Sequence, residues 1–180
     1  MKRFTSLLVF ILLLSGCSSP STTQGTGFIP SCNEIEVGVV SEKKLELPCL
    51  DGSIFVDFHQ IKGPLLINVW GSWCEGCKQE MPFFVELYQN PLFRNGQIQM
   101  LGVNVEEKSK ENAIDYIQKS GMSWPNLEDT SGISKSIFGP GVPVTWFIDE
   151  NGKTIDTKIG AYTNKKQLFN QVEKAFGVKL

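Results

Sequence analysis

Histidine and arginine are scarce in this chain. Its 180 residues hold one His, His59, and two Arg, Arg3 and Arg94. A lone His argues against the usual zinc sites, which gather four ligands from Cys, His and carboxylates. Basic side chains do not outnumber acidic ones: 17 Lys+Arg stand against 19 Asp+Glu, a formal net charge of −2. The basic footprint of a nucleic-acid binder is therefore missing. No apolar run is long enough to span a bilayer. The N-terminal stretch Leu7–Leu14 has eight residues, where a spanning helix needs about 20. No internal repeat is apparent.

What is present begins with an export pattern. Lys2 and Arg3 form a positive n-region ahead of the apolar stretch, which runs into Leu14-Ser15-Gly16-Cys17. This order resembles a bacterial lipobox, in which residues 1–16 are removed and Cys17 receives a lipid. An ordinary signal peptide with a chance Cys and an uncleaved anchor are the alternatives. Ser18 to Gly27 carries Ser, Thr, Gly, Pro and Gln without apolar periodicity. Residues 17–27 thus read as a lipidated Cys and flexible linker, and residues 28–180 as one domain. Loss of Lys2 and Arg3 would leave 15 basic against 19 acidic residues, a net charge of −4.

The chain has five cysteines: Cys17, Cys32, Cys49, Cys74 and Cys77. Trp73-Cys74-Glu75-Gly76-Cys77 follows the apolar run Pro64–Trp70 and precedes a helical pattern over Lys78–Tyr88. Residues i and i+3 at a helix start face the same way, within reach of a disulfide. Free N–H groups and the helix dipole at that end favour a thiolate, the attacking species in disulfide exchange. With Cys17 assigned to lipid, Cys32 and Cys49 remain as a pair. A structural disulfide between them would close a loop of about 17 residues and stabilise by roughly 3 kcal/mol in the chain-entropy model. Two buried thiols, or a second exchange pair relaying electrons, are the alternatives.

Leu45–Leu47 and Ile54–Val56 alternate around Asp51-Gly52, the pattern of a hairpin. Leu65–Trp70 reads as a central strand buried on both faces. Pro82 falls inside the following helix and should kink it. Ile98–Val105 reads as a strand, Lys110–Lys119 as an amphipathic helix ended by Gly121, and Ile133–Phe138 as a short helix. Val144–Asp149 and Thr154–Ile159 form a second hairpin, and Lys165–Phe176 a closing helix with Leu168, Phe169, Val172 and Phe176 inward. Glu106–Glu111 reads as a solvated loop entering a helix. The order strand, helix, strand, helix, hairpin, helix gives an α/β fold with a mixed sheet and helices on both faces.

Asn68-Val69-Trp70-Gly71-Ser72-Trp73-Cys74-Glu75-Gly76-Cys77-Lys78-Gln79-Glu80-Met81-Pro82, with Gly141-Val142-Pro143 before the strand Val144–Asp149, resembles the TlpA/ResA/CcmG-like branch of the thioredoxin fold over residues 40–180. The resemblance implies a thioredoxin-like fold with an N-terminal β-hairpin extension and a thiol–disulfide oxidoreductase without cofactor or metal. In that reading Cys74 attacks and Cys77 resolves. Val142-Pro143 is the cis-Pro segment whose Val142 backbone pairs with substrate, and Trp73, Glu75 and Gly76 border the same groove. Glu80 exchanges protons with Cys77, in contrast to a solvated helix Glu. Thioredoxins proper carry an Asp where this chain has Asn68, and Gly76 replaces the Pro often found there. Trp70 divides between groove and core, Trp124 and Trp146 fall to the core, and His59 is an unremarkable loop residue.

The lipobox implies tethering outside the cytoplasm to the bacterial cell membrane through Cys17, a monomer is expected, and the family resemblance supplies the partners. The substrates would be disulfides of exported proteins, such as apocytochrome c during cytochrome c maturation, and the electron donor a membrane thiol transporter resembling CcdA or DsbD. A DsbA-like thiol oxidant and a copper-centre assembly chaperone are the competing functions. A peroxidase would need Ser or Thr three residues before its Cys, where Gly71 stands, and a nearby Arg.

Overall fold

The computed structural model describes residues 26–38 and 45–180. The signal segment, Cys17 and most of the linker lie outside the described residues. Thr26 and Gly27 are described, and Gly27 is hydrogen-bonded to the domain: its N–H donates to the Gln118 carbonyl, and that of Phe28 to the Met122 carbonyl, both at 3.0 Å.

The apolar run becomes a strand because every residue of it finds cover. Leu65–Trp70, the third strand in chain order (β3), is buried at all six positions. It pairs in parallel with β4 (Gln99–Val105) and antiparallel with β6 (Val144–Ile148). Beyond β4 lies β5 (Asn126–Asp129), and beyond β6 lies β7 (Thr154–Ile159), giving the order β5-β4-β3-β6-β7. β1 (Glu46–Pro48) and β2 (Phe55–Asp57) form the expected N-terminal hairpin as a separate small sheet. The thioredoxin-like fold is thus present, a mixed sheet flanked by helices.

Successive strand side chains point to opposite faces, so the sheet divides the protein into two apolar layers. Leu66 and Trp70 lie with Met81, Phe84 and Leu87 of α1 (Glu75–Tyr88), with Ala113 and Ile117 of α3 (Lys110–Ser120), and with Leu168 and Val172 of α5 (Lys165–Phe176). Leu65, Ile67 and Val69 lie on the other face with Cys32, Leu47, Cys49, Val56 and Phe138, the last from α4 (Lys135–Phe138). A further short helix, α2 (Pro91–Arg94), follows α1. Phe169 and Phe176, read as inward, are only partly buried against the first layer.

One expectation is corrected, one strand is added and one open alternative is closed. The active-site helix begins at Glu75, not Lys78, because Cys74 acts as its N-cap: Cys74 Sγ accepts the Cys77 N–H at 3.1 Å. β5 has no counterpart in the sequence reading. It has four residues, two of them acidic, and owes its strand state to pairing with β4 and to an isolated bridge between Cys49 and Leu127. Trp70 belongs to the core, fully buried, and its indole N–H donates to Asn126 Oδ1 at 2.9 Å. Asn126 is itself fixed from two sides, its Nδ2 donating to the Trp124 carbonyl and its own carbonyl accepting the Leu50 N–H, both at 2.7 Å. Gly102 leaves room for this amide, since a Cβ there would fall 1.7 Å from Asn126 Oδ1.

Candidate active site

Cys74 and Cys77 are joined by a disulfide just past the carboxyl end of β3, where ligands sit in open α/β sheets. The loop from Gly71 makes the turn. The Gly71 carbonyl accepts the Cys74 N–H at 3.1 Å, and the Cys74 carbonyl accepts that of Lys78 at 3.1 Å. Cys74 keeps 6% of its surface exposed and Cys77 none. The first residue is thus the less covered of the two, which gives the pair an outer and an inner member. Glu75 adds a carboxylate beside the outer one, paired loosely with Lys78 at 3.8 Å.

Glu80 follows Cys77 by three residues on α1, a spacing that lets both face the same side. It is fully buried, so the solvated-helix alternative does not describe it. Its Oε1 accepts from Asn68 Nδ2 at 3.2 Å and its Oε2 from the Tyr162 N–H at 2.9 Å. Burial pushes its pKa up from 4.5 to about 7, against the opposing pull of these two hydrogen bonds and of Lys158. A carboxyl poised near neutrality is suited to taking and returning a proton. Asn68 Oδ1 is buried without a hydrogen-bond partner.

The third side of the site is the segment before β6. The Val142–Pro143 bond is cis, and Pro143 packs against the helix turn that carries the disulfide. A Cβ on Gly76 would lie 3.3 Å from Pro143 Cδ and 3.4 Å from Ala161 Cβ. The Pro143 carbonyl accepts the Gly160 N–H at 2.9 Å, tying this segment to the end of β7. Trp73 is half exposed and folds back over Gly71, with its indole N–H on the Val105 carbonyl at 3.2 Å. Together with Val69, Val105, Phe138 and Val142 it walls a shallow groove. The fold thus brings Trp73, Cys74, Glu75, Gly76, Cys77, Glu80, Val142 and Pro143 together.

Cys32 and Cys49 are bonded to each other on the opposite face of the sheet, each at most 1% exposed. Arg94 lies at the end of α2 with its guanidinium over the Tyr88 ring. Gly71 stands at the third position before Cys74, so neither requirement for a peroxidase site is met at the disulfide. Among the described residues, no group of three or more His, Cys, Asp or Glu gathers as a metal cage. No helix among them is long and apolar enough to cross a membrane.

Reading the sequence missed Glu107, which lies in the supposedly solvated Glu106–Glu111 loop. Its Oε1 accepts from the Ser72 N–H at 2.5 Å and from Asn104 Nδ2 at 3.0 Å, and its Oε2 from the Ser72 hydroxyl at 2.7 Å. Tyr162, the partner of Glu80, escaped it as well. Neither has a local signal: Glu107 is 35 residues from Ser72, and Tyr162 is 82 from Glu80.

Known proteins resemble this chain. The AhpC/TSA family model matches residues 42–156, and residues 1–18 match the prokaryotic membrane lipoprotein lipid attachment site. A thiol-disulfide oxidoreductase ResA of Bacillus cereus is 30% identical over 186 residues, covering 97% of this chain and 98% of that one. The ResA of Geobacillus thermodenitrificans is 33% identical over 102 residues, 56% of this chain and 57% of that one. StoA of Bacillus subtilis superposes with a TM-score of 0.57 at 22% identity, covering 72% of this chain and 96% of that one. The pneumococcal exposed lipoprotein thioredoxin Etrx1 of Streptococcus pneumoniae superposes at 0.58 with 23% identity, covering 73% and 99%. These two likenesses bear on the fold alone. The sequence relatives and the helix-capping disulfide agree, and the chain belongs to the AhpC/TSA family, among its thioredoxin-fold thiol–disulfide oxidoreductases of the ResA type.

Proposed function

We propose that the protein is held outside the cytoplasm by a lipid on Cys17, after removal of residues 1–16, and that its dithiol reduces disulfides of exported polypeptides. Residues 17–27 then serve as the tether of the domain that follows. In the reduced protein the Cys74 thiolate attacks one sulfur of a substrate disulfide. A mixed disulfide forms and one substrate thiolate leaves. Cys77 gives up its proton to Glu80 and attacks Cys74 Sγ, which expels the second substrate thiolate. Two electrons have passed to the substrate, and the Cys74–Cys77 disulfide seen here is the spent form. Val142 offers its backbone to the substrate chain beside Pro143, and Trp73, Glu75 and Gly76 form the rest of the contact. A membrane thiol transporter resembling CcdA or DsbD restores the dithiol. The haem-binding Cys-x-x-Cys of an apocytochrome c fits as substrate, as the similarity to ResA suggests. The Cys32–Cys49 bond is structural.

The observation that carries the reducing direction is the acidic character of the helix start, with Glu75 next to Cys74 and Glu80 buried three residues after Cys77. Strong oxidants of this chemistry owe their potential to a stabilised thiolate in the reduced form, which neighbouring carboxylates oppose. The test is the reduction potential of the pair, measured by equilibration with a thiol–disulfide buffer. A value near or below about −270 mV supports a reductase, and one near −120 mV makes the protein an oxidant. A Cys77→Ala variant retains the mixed disulfide, and the polypeptide captured on Cys74 in cells identifies the substrate.

A further inference from the structure

The end of β4 and the turn after it, Asn104 to Glu107, grip the loop that presents Cys74. Val105 holds the Trp73 indole through its carbonyl. Glu107 takes both the backbone N–H and the hydroxyl of Ser72, and Asn104 Nδ2 steadies the same carboxylate. The turn that carries Glu107 is itself anchored. Glu106 holds a left-handed backbone at φ 53°, its N–H donates to the Asp129 carbonyl at 3.0 Å, and its carboxylate meets Lys135 Nζ at 2.6 Å. Asp129 is buried and accepts from the Ser134 N–H at 2.7 Å and the Ile133 N–H at 3.1 Å. The grip thus reaches from the edge strand β5 and the start of α4 to the residues directly before the attacking sulfur.

The Glu107 carboxyl gathers three hydrogen bonds, two from Ser72 through its backbone N–H and its hydroxyl, and one from Asn104. Trp73 follows Ser72 directly and walls the groove, so a shift at Ser72 moves the wall before it moves the helix cap at Cys74.

We propose that Glu107 is a positioning residue for polypeptide substrates: by clamping Ser72 it fixes Trp73 against the groove beside the disulfide. The proposal rests on the dithiol exchange reading above. It separates two properties of the site. Attack by Cys74 depends on the helix N-terminus, whereas docking of a substrate chain depends on the loop that Glu107 holds.

The test is Glu107→Ala, which removes all three hydrogen bonds from the loop. Steady-state reduction is measured with two probes, insulin disulfides as a polypeptide and oxidised lipoamide as a small disulfide, with melting temperature in parallel. The expected result is a fall of roughly tenfold in kcat/KM for insulin, carried by KM, with oxidised lipoamide changed less than about threefold. Ser72→Ala, which keeps the backbone N–H, shows a smaller loss of the same kind. The double variant is no worse than Glu107→Ala alone, because both act through the Ser72 contact. Insulin reduction within about twofold of the parent overturns the proposal. So does an equal loss with both probes, or additive effects of the two substitutions. A parent protein that reduces neither probe overturns the dithiol reading itself and the clamp with it.

Discussion

One domain holds two disulfides on opposite faces of one sheet, and their surroundings differ in almost every respect. Cys74–Cys77 caps a helix, accepts a backbone N–H on its outer sulfur, has a buried carboxyl three residues further along that helix and a proline packed against its turn. Cys32–Cys49 lies among Leu47, Val56, Ile67 and Leu127, with Cys32 Sγ 3.7 Å from the Asn126 carbonyl. The first has a route for an incoming thiol and for a proton. The second has neither, since both of its residues are covered by apolar side chains. Thiol exchange depends on access and on the stability of the thiolate, and both conditions differ between the two faces.

The comparison is broken most severely at the outer sulfur. Cys74→Ser should reduce disulfide exchange about a thousandfold or more, because a hydroxyl is not ionised at neutral pH as a thiol partly is. Insulin reduction measures it. On the other face, Cys32→Ala with Cys49→Ala should lower stability by roughly 3 kcal/mol and leave turnover per folded molecule unchanged. Denaturant titration and the same insulin assay check both halves. A loss of turnover at unchanged stability would make the second pair an electron relay.

Glu80 gives the comparison a pH signature. Folded Glu80 keeps its proton up to about pH 7, whereas the unfolded chain releases it near 4.5. The native state therefore binds more protons between these values, and its stability falls as pH rises through that window, by at most ~1.4 kcal/mol per pH unit. Glu80→Gln should flatten this part of the stability–pH curve, recorded by denaturant titration of the oxidised protein. It should also remove the corresponding ionisation from the pH dependence of exchange. The smallest effect belongs to Gly76→Ala. The added Cβ comes into tight contact with Pro143, so KM for a polypeptide disulfide should rise a few-fold while stability moves by less than about 1 kcal/mol.

Much of this is legible in the chain because it is local. The dithiol, its helix, the central strand and Val142-Pro143 announce themselves within a few residues each. What escapes has partners far along the sequence. β5 is a strand through its pairing with β4 and shows no alternation of its own. Glu107 looks solvated among Glu106, Lys108 and Lys110, and only the return of the chain past Ser72 gives its carboxylate a task. Helical spacing places Glu80 near Cys77, yet its burial depends on Tyr162, contributed after the last strand. Trp70 divides between groove and core in the sequence for the same reason, since Asn126, which receives its N–H, is 56 residues away.

Gly102 carries a consequence for how such a sequence is free to change. Any side chain there would evict the Asn126 amide, and with it the anchor of Trp70 and of the segment that leads out of the Cys49 bridge. Positions 70, 102 and 126 are therefore not three independent choices. In a lineage descended from this chain they should be kept as a set or exchanged as a set, with single replacements passing through a worse intermediate than either end.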